Sequence, residues 1–276
     1  MFSRRPHSRL HQSPHKKEQN RLYSFIIFCL LIFMIAFFIY QKIEQVKILA
    51  AEKKTLTKVL KSYYPIQSSV AVINKTGQSF IVGSTKPFNA ASTTKIILAA
   101  CLLHEVELGD KSLSAQAGDY PVSFQLQAMV NQSNNDSWHA LTNYVGLQNL
   151  SDYAESIGIH YDVANNSITT TDEALFLQKL YTGELLNSQD TKLLLSYMQH
   201  TNDETLIPAA VSSDVTVYHK YGWLDSYLHD AAILVYHNKP FILVIYTNGN
   251  KSTYSKQVQL IQQVTKMMLQ YEFGID

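Results

Sequence analysis

Nineteen consecutive residues without a charge, Leu22 to Tyr40, constrain this chain more than any other stretch. In hydrocarbon every backbone N–H and C=O must be satisfied within the segment, so such a run has to be a helix. At about 1.5 Å per residue it nearly spans a core of about 30 Å. Residues 1–21 hold six Lys and Arg against Glu18, a net +5 in a chain whose total is +1, so the remainder is mildly acidic. The basic flank places the N-terminus in the cytosol and everything after about Gln41 outside. A cleaved signal peptide is the rival reading. The apolar run is longer than a usual signal core, and no clear small-x-small site follows it. We therefore expect a basic tail over 1–21 and a membrane anchor over 22–41. This charge distribution does not point to nucleic-acid binding.

Cys101 is the one cysteine beyond the anchor, so no disulfide can form there, and its apolar surroundings mark it as a small buried hydrophobe. Cys29 has no small residues before it, which argues against lipidation. No Cys/His cluster has zinc spacing, and no metal or other cofactor is expected.

Residues 42–64 lack Gly and Pro and read as a juxtamembrane helix ending near Pro65. Ser69–Ile73 and Ser79–Val82 form a hairpin around Asn74-Lys75-Thr76-Gly77. Val215–Tyr221, Ala231–Tyr236 and Phe241–Thr247 are three further strands, rich in Val, Ile and Tyr. Residues 252–272 form a closing helix. Between these ends the pattern is helical: Ser92–Leu108, 123–131, 136–145, a helix capped by Thr170 with Glu173 at its third position, and Gln189–His200. Strands from both chain ends and helices from the middle predict an α/β (α+β) fold. An antiparallel sheet (65–91 and 205–276) is flanked by terminal helices, with an all-helical subdomain inserted (92–204).

Three short motifs carry the chemistry. Ser92-Thr93-Thr94-Lys95 opens the first long helix, so Ser92 and Lys95 share a face. A serine hydroxyl needs a neighbour to take its proton. Lysine is protonated at pH 7 unless burial lowers its pKa, and the eight apolar residues from Ile96 to Leu103 supply that burial. Ser133-Asn134-Asn135 lies between two helices, where a hydroxyl can relay a proton and the Asn135 amide can hold a carbonyl. The plainer reading is that Asn135 or a neighbour caps the following helix. Lys220-Tyr221-Gly222 ends a strand, where Lys220 can bind a carboxylate and Gly222 allows close approach of a ligand. Its plainer reading is an edge-strand lysine before a turn. Lys75-Thr76-Gly77 sits in the hairpin turn ahead of Ser92, and Ser13-Pro14-His15-Lys16 lies in the basic tail; neither is assigned a role. His219 should face away from Lys220. His229-Asp230 could form a local pair, and the plainer reading is a loop-terminus role.

In this order and spacing the three motifs resemble the serine penicillin-recognising enzymes, above all class A β-lactamases. Further similar stretches are Pro87-Phe88-Asn89-Ala90-Ala91 before Ser92, and Thr169-Thr170-Thr171 followed by Leu180-Tyr181-Thr182-Gly183-Glu184-Leu185-Leu186. Asp230-Ala231-Ala232 after the Lys220 strand is another. The resemblance covers about residues 65–272. It implies that Ser92 is acylated, Lys95 is its base and Ser133 shuttles a proton toward Lys220. It also implies that Asn135 holds the substrate amide and that the backbone N–H groups of Ser92 and Trp223 form an oxyanion hole beside Gly222.

Three departures stand out. The middle residue of the second motif is Asn134 rather than Asp. Tyr221 replaces the usual Thr of the third. The loop His160–Ile168 has no Glu to activate a deacylating water, and Asp162 is its one carboxylate. A missing general base costs about 10²–10⁴ in rate. The expectation is an extracytoplasmic serine acyl hydrolase acting on β-lactams or D-Ala-D-Ala-like peptides, with slow deacylation. The alternatives are a penicillin-binding D-alanyl-D-alanine carboxypeptidase and a non-catalytic wall- or protein-binding module on the same fold.

Overall fold

The computed structural model describes residues 14–275, and side-chain exposure from Leu22 onward. The expected basic tail therefore lies largely outside the described residues. The chain divides into two compact units, residues 1–53 and 54–276. In the first unit the described residues are helical throughout, part of α1 (Pro14–Ser62). Every side chain from Leu22 to Tyr40 is exposed. This is one helix long and apolar enough to cross a membrane.

The second unit begins with the last turns of α1, which bury Leu56 and Leu60. Then follow β1 (Gln67–Ile73), β2 (Ser79–Gly83), β3 (Phe88–Asn89) and α2 (Lys95–Glu107). The middle of the chain supplies β4 (Gln116–Ala117), β5 (Tyr120–Pro121), α3 (Val122–Asn131), α4 (Asn135–Val145) and α5 (Leu147–Ser156). After these come β6 (Tyr161–Asp162), β7 (Ser167–Ile168), α6 (Thr170–Thr182) and α7 (Ser188–Tyr197). The chain closes with β8 (Thr216–Leu224), β9 (Tyr227–Tyr236), β10 (Lys239–Asn248) and α8 (Tyr254–Phe273).

The main sheet is antiparallel, in the order β2-β1-β10-β9-β8, so both chain ends meet at its centre where β1 pairs β10. Strand alternation divides its side chains. Ala71, Ile73, Ala231, Ile233, Ile242, Val244 and Tyr246 join the core that contains α2 and α6. Neighbours in the strands, such as Leu234, Leu243 and Ile245, are also fully buried. With both faces covered, β10 reads as a continuous apolar run rather than an alternating one. The antiparallel sheet and helices match the expectation.

Three local readings are corrected. The first helix begins at Lys95, not Ser92; residues 91–94 form a turn. The cap of α6 is Thr169, whose side chain accepts from Asp172 N–H, so Thr170 and Glu173 are free for other contacts. His229 and Asp230 lie inside β9, fully buried, and not in a loop. Helix α5 and the short β3-β7-β6 sheet were not expected.

Candidate active site

The site is built where β3 gives way to α2. Ala91 adopts φ +52°, a left-handed conformation that costs an alanine about 1–2 kcal/mol. Tertiary bonds hold it there. Asn89 Oδ1 accepts from Ala91 N–H at 3.0 Å, and Asn166 Nδ2 donates to Ala91 O at 2.7 Å. Asn166 O accepts from Ala90 N–H at 2.8 Å. Asn166 is itself left-handed, φ +48°, and its Oδ1 accepts from the hydroxyls of Thr94 (2.7 Å) and Tyr161 (2.8 Å). Asn tolerates that conformation better than most residues. The turn carrying Ser92 is therefore clamped from the loop between β6 and β7.

Lys95, one turn beyond Ser92, is 4% exposed. Its Nζ donates to Ser133 O (2.8 Å) and Asn135 Oδ1 (2.8 Å), with Asn134 O at 3.5 Å. Burial lowers its pKa to about 8. No hydrogen bond among the described residues joins Nζ to Ser92 Oγ. Ser133 sits in the α3–α4 loop with φ +54°, which turns its carbonyl to Lys95. Asn134 caps α4 by accepting from Ser137 N–H, which leaves the Asn135 amide free to face Lys95.

Lys220 on β8 is fully buried. Its Nζ donates to Tyr221 O at 3.0 Å and lies 4.2 Å from the Tyr221 ring centre. Burial, then the charge of Lys95, lowers its pKa to about 7 despite Asp230, Asp203 and Glu173. Two residues on, Gly222 packs against the turn that carries Ser92: a Cβ there would stand 2.9 Å from both Ala90 O and Ser92 N. Trp223 is 61% exposed and its indole leans on Tyr254, ring centres 5.4 Å apart. Ser92, Lys95, Ser133, Asn135, Lys220 and Gly222 thus converge, whereas the Trp223 side chain turns outward.

Among the described residues no carboxylate hydrogen-bonds or ion-pairs with Lys95. Asp162 is exposed and accepts from Asn165 N–H and Nδ2 within its own loop, which lowers its pKa. Behind Lys220, His219 is wholly buried between Asp230 (2.9 Å) and Glu204 (3.2 Å). Burial opposes its charge, but the two carboxylates outweigh that and raise its pKa to about 9. His229 is a neutral counterpart. Its Nε2–H donates to Asn89 O at 2.8 Å, and burial lowers its pKa to about 4. Glu173, Tyr246 and Thr93 form a third buried cluster behind the turn.

The fold that carries these residues matches known proteins. The sequence profile of the Beta-lactamase enzyme family matches residues 51–271. The chain belongs to this family. Similar solved structures include a variant of the reconstructed last common ancestor of Gram-negative class A β-lactamases. It is 19% identical with a TM-score of 0.74, over 80% of this chain and 99% of that one. A point mutant of PBP-A, captured as an acyl-enzyme with penicillin G, is 21% identical with a TM-score of 0.74, over 80% and 96%. PBP-A itself gives 21% and 0.73. At these identities the likeness shows the fold. A search of curated proteins finds no match.

Proposed function

We propose that this chain is a membrane-anchored serine acyl hydrolase that reacts through Ser92 with β-lactams or D-Ala-D-Ala-like peptides and releases the acyl group slowly. The tail (1–21) is cytosolic, the anchor (22–41) crosses the membrane, the helix 42–64 leads out, and the domain 65–276 works outside. The observation that carries the reading is Lys95, buried one turn from Ser92 with only carbonyl oxygens as partners. With a pKa of about 8, roughly a tenth of it is neutral at pH 7. Neutral Lys95 takes the Ser92 proton as Oγ attacks the acyl carbon. The C–N bond then breaks, and the proton taken up by Lys95 is relayed through the Ser133 hydroxyl to the leaving nitrogen, which leaves both Ser133 and Lys95 neutral. Ser92 and Trp223 N–H groups stabilise the oxyanion. Asn135 holds the substrate amide, Lys220 its carboxylate.

Deacylation needs a second base. Asp162 is committed to its own loop, and Glu173 to Tyr246, so neither addresses water beside Ser92. One observation favours the non-catalytic rival: the Nζ contacts of Lys95 go to Ser133, Asn134 and Asn135, none to Ser92. Catalytic contacts of this kind often tighten only on substrate binding.

The test is to incubate the full chain in detergent with labelled penicillin, with Ser92→Ala as control. Stable stoichiometric labelling of Ser92 supports the proposal and a penicillin-binding carboxypeptidase-like enzyme. Rapid turnover refutes slow deacylation, and absence of Ser92-dependent label on penicillin and on a D-Ala-D-Ala thioester sinks the enzymatic reading.

A further inference from the structure

Glu173 takes no part in the mechanism above, yet it is fully buried in the first turn of α6. Its Oε2 is in hydrogen-bond contact with the Tyr246 hydroxyl, and its Oε1 has no partner. Tyr246 Oη lies 2.7 Å from Thr93 Oγ1, and Thr93 Oγ1 lies 3.1 Å from Ala90 O. A hydrogen-bonded chain thus runs from α6 through β10 to the turn that carries Ser92.

Taking all three contacts as simultaneous hydrogen bonds, the count of hydrogens gives the chain a direction. Ala90 O can only accept, so the single Thr93 hydroxyl hydrogen goes there. The single Tyr246 hydrogen then goes to Thr93. The Tyr246–Glu173 contact needs a third hydrogen, and Glu173 Oε2 is the one atom left to carry it. The bare Oε1 agrees, because an unpartnered neutral carbonyl costs less than an unpartnered buried charge.

We infer that Glu173 is held as a neutral acid and serves as a positioning residue for Ser92, donating to Tyr246, which donates to Thr93, which donates to Ala90 O. Ionisation reverses the chain. Tyr246 then turns its hydrogen to Glu173, Thr93 turns to Tyr246, and Ala90 O keeps only the Thr93 N–H. The groups that face Glu173 are Tyr246 on β10, Thr93 in the turn, Asp230 on β9, Lys220 on β8 and Tyr161 on β6. Burial pushes its carboxyl up to about 7, against the hydrogen bonding and the charge of Lys220. As a statement about catalysis this rests on acylation of Ser92; the measurements below do not.

Infrared difference spectra of the full chain in detergent, wild type minus Glu173→Gln, test the protonation. The expected result at pH 6 is a carboxylic-acid C=O band that fades as pH rises through about 7; no such band at any pH from 5.5 to 9 overturns the neutral acid. Amide hydrogen exchange over residues 90–95, corrected for intrinsic rate, tests the positioning. Protection should fall about five- to tenfold in wild type above pH 7, roughly the worth of one hydrogen bond. Glu173→Gln, whose amide can donate to Tyr246, should hold protection at every pH. The shape-conserving Thr93→Val should lose it at every pH, whereas Tyr246→Phe, which leaves Thr93 free to donate to Ala90 O but cuts its link to Glu173, should keep it without the fall above pH 7. Wild-type protection in Thr93→Val, or a wild-type pH dependence in Tyr246→Phe, overturns the positioning role. If penicillin fails to label Ser92 while both signatures appear, the hydrogen-bond chain stands and the enzymatic reading alone fails.

Discussion

Gly222→Ala offers a direct test of how β8 supports Ser92, the proposed nucleophile. The φ of Gly222 is not left-handed, so the position needs room rather than backbone freedom. A Cβ would sit 2.9 Å from Ala90 O, 2.9 Å from Ser92 N and 3.1 Å from Ala91 Cβ, where ordinary contacts start at 3.4 Å. Two of the three are backbone atoms and cannot rotate away. Either β8 or the Ala90–Ser92 turn must shift by several tenths of an ångström. Overpacking of this kind costs about 1–3 kcal/mol. If the turn yields, the Ser92 N–H leaves its place. Complete loss of an oxyanion donor costs about 10²–10³ in rate, so partial displacement should slow labelling by about 10- to 100-fold. The control is Gly249→Ala, whose Cβ would strike Thr253 Oγ1 and the Gln257 side chain, both away from Ser92. Unfolding and penicillin-labelling rates are measured for both. Both variants should be destabilised, and only Gly222→Ala should label slowly. Wild-type labelling by a destabilised Gly222→Ala would refute the idea that β8 pins the nucleophile turn.

Three further outcomes are expected. Labelling of Ser92 by a carboxylate-bearing β-lactam should peak between about pH 7 and 8. It rises as Lys95 loses its proton near 8, while affinity falls as Lys220 loses its proton near 7. An acylating agent without a carboxylate should show the rising limb alone, and a flat profile from pH 6 to 9 contradicts both assignments. Asn166→Asp swaps the donor to Ala91 O for an oxygen, which should cost about 1–3 kcal/mol in a melt and slow labelling. Cys101, buried and with its thiol pushed up to about 12, should resist alkylation at pH 8 until the chain unfolds; rapid modification of the native protein would contradict the packing of α2.

The strands were legible because β1, β9 and β10 are buried on both faces and read as long Val/Ile/Leu runs. The turn at Ser92 was not, because its shape depends on Asn166, far along the chain, and on Asn89. Local rules extend the helix back to Ser92, since nothing in Ser92-Thr93-Thr94 forbids it. Glu173 was misread for a related reason. Thr170 and Glu173 fit the spacing of a capping box, but Thr169 and Asp172 fit it equally, and the tertiary fold selects the latter pair. That one-residue difference sends Glu173 into the core instead of onto the surface. His219, expected to face away from Lys220, is held between Asp230 and Glu204. Helix α5 escaped notice because Gly146 and a polar face interrupt the apolar pattern.

The absence of a carboxylate partner for Lys95 among the described residues bears on both halves of the proposed reaction. The salt bridges among the described residues involve Lys47, His160 and His219, and neither Lys95 nor Lys220. Lys95 is therefore kept basic but only weakly so, because burial destabilises its ammonium and no anion restores it. A carboxylate placed within about 4–6 Å would favour the charged form and raise that pKa by about 1–3 units. Lys95 would then be a poorer source of neutral amine in acylation, even as the new group supplied a base for deacylation. In the proposed mechanism the two steps compete for one electrostatic arrangement. A Glu introduced so that its carboxylate reaches within that distance of Lys95 should accordingly shift the rising limb of the labelling profile upward from about pH 8 whether or not it speeds turnover. If labelling keeps its limb near 8 while the acyl group is released faster, the base in acylation is not Lys95.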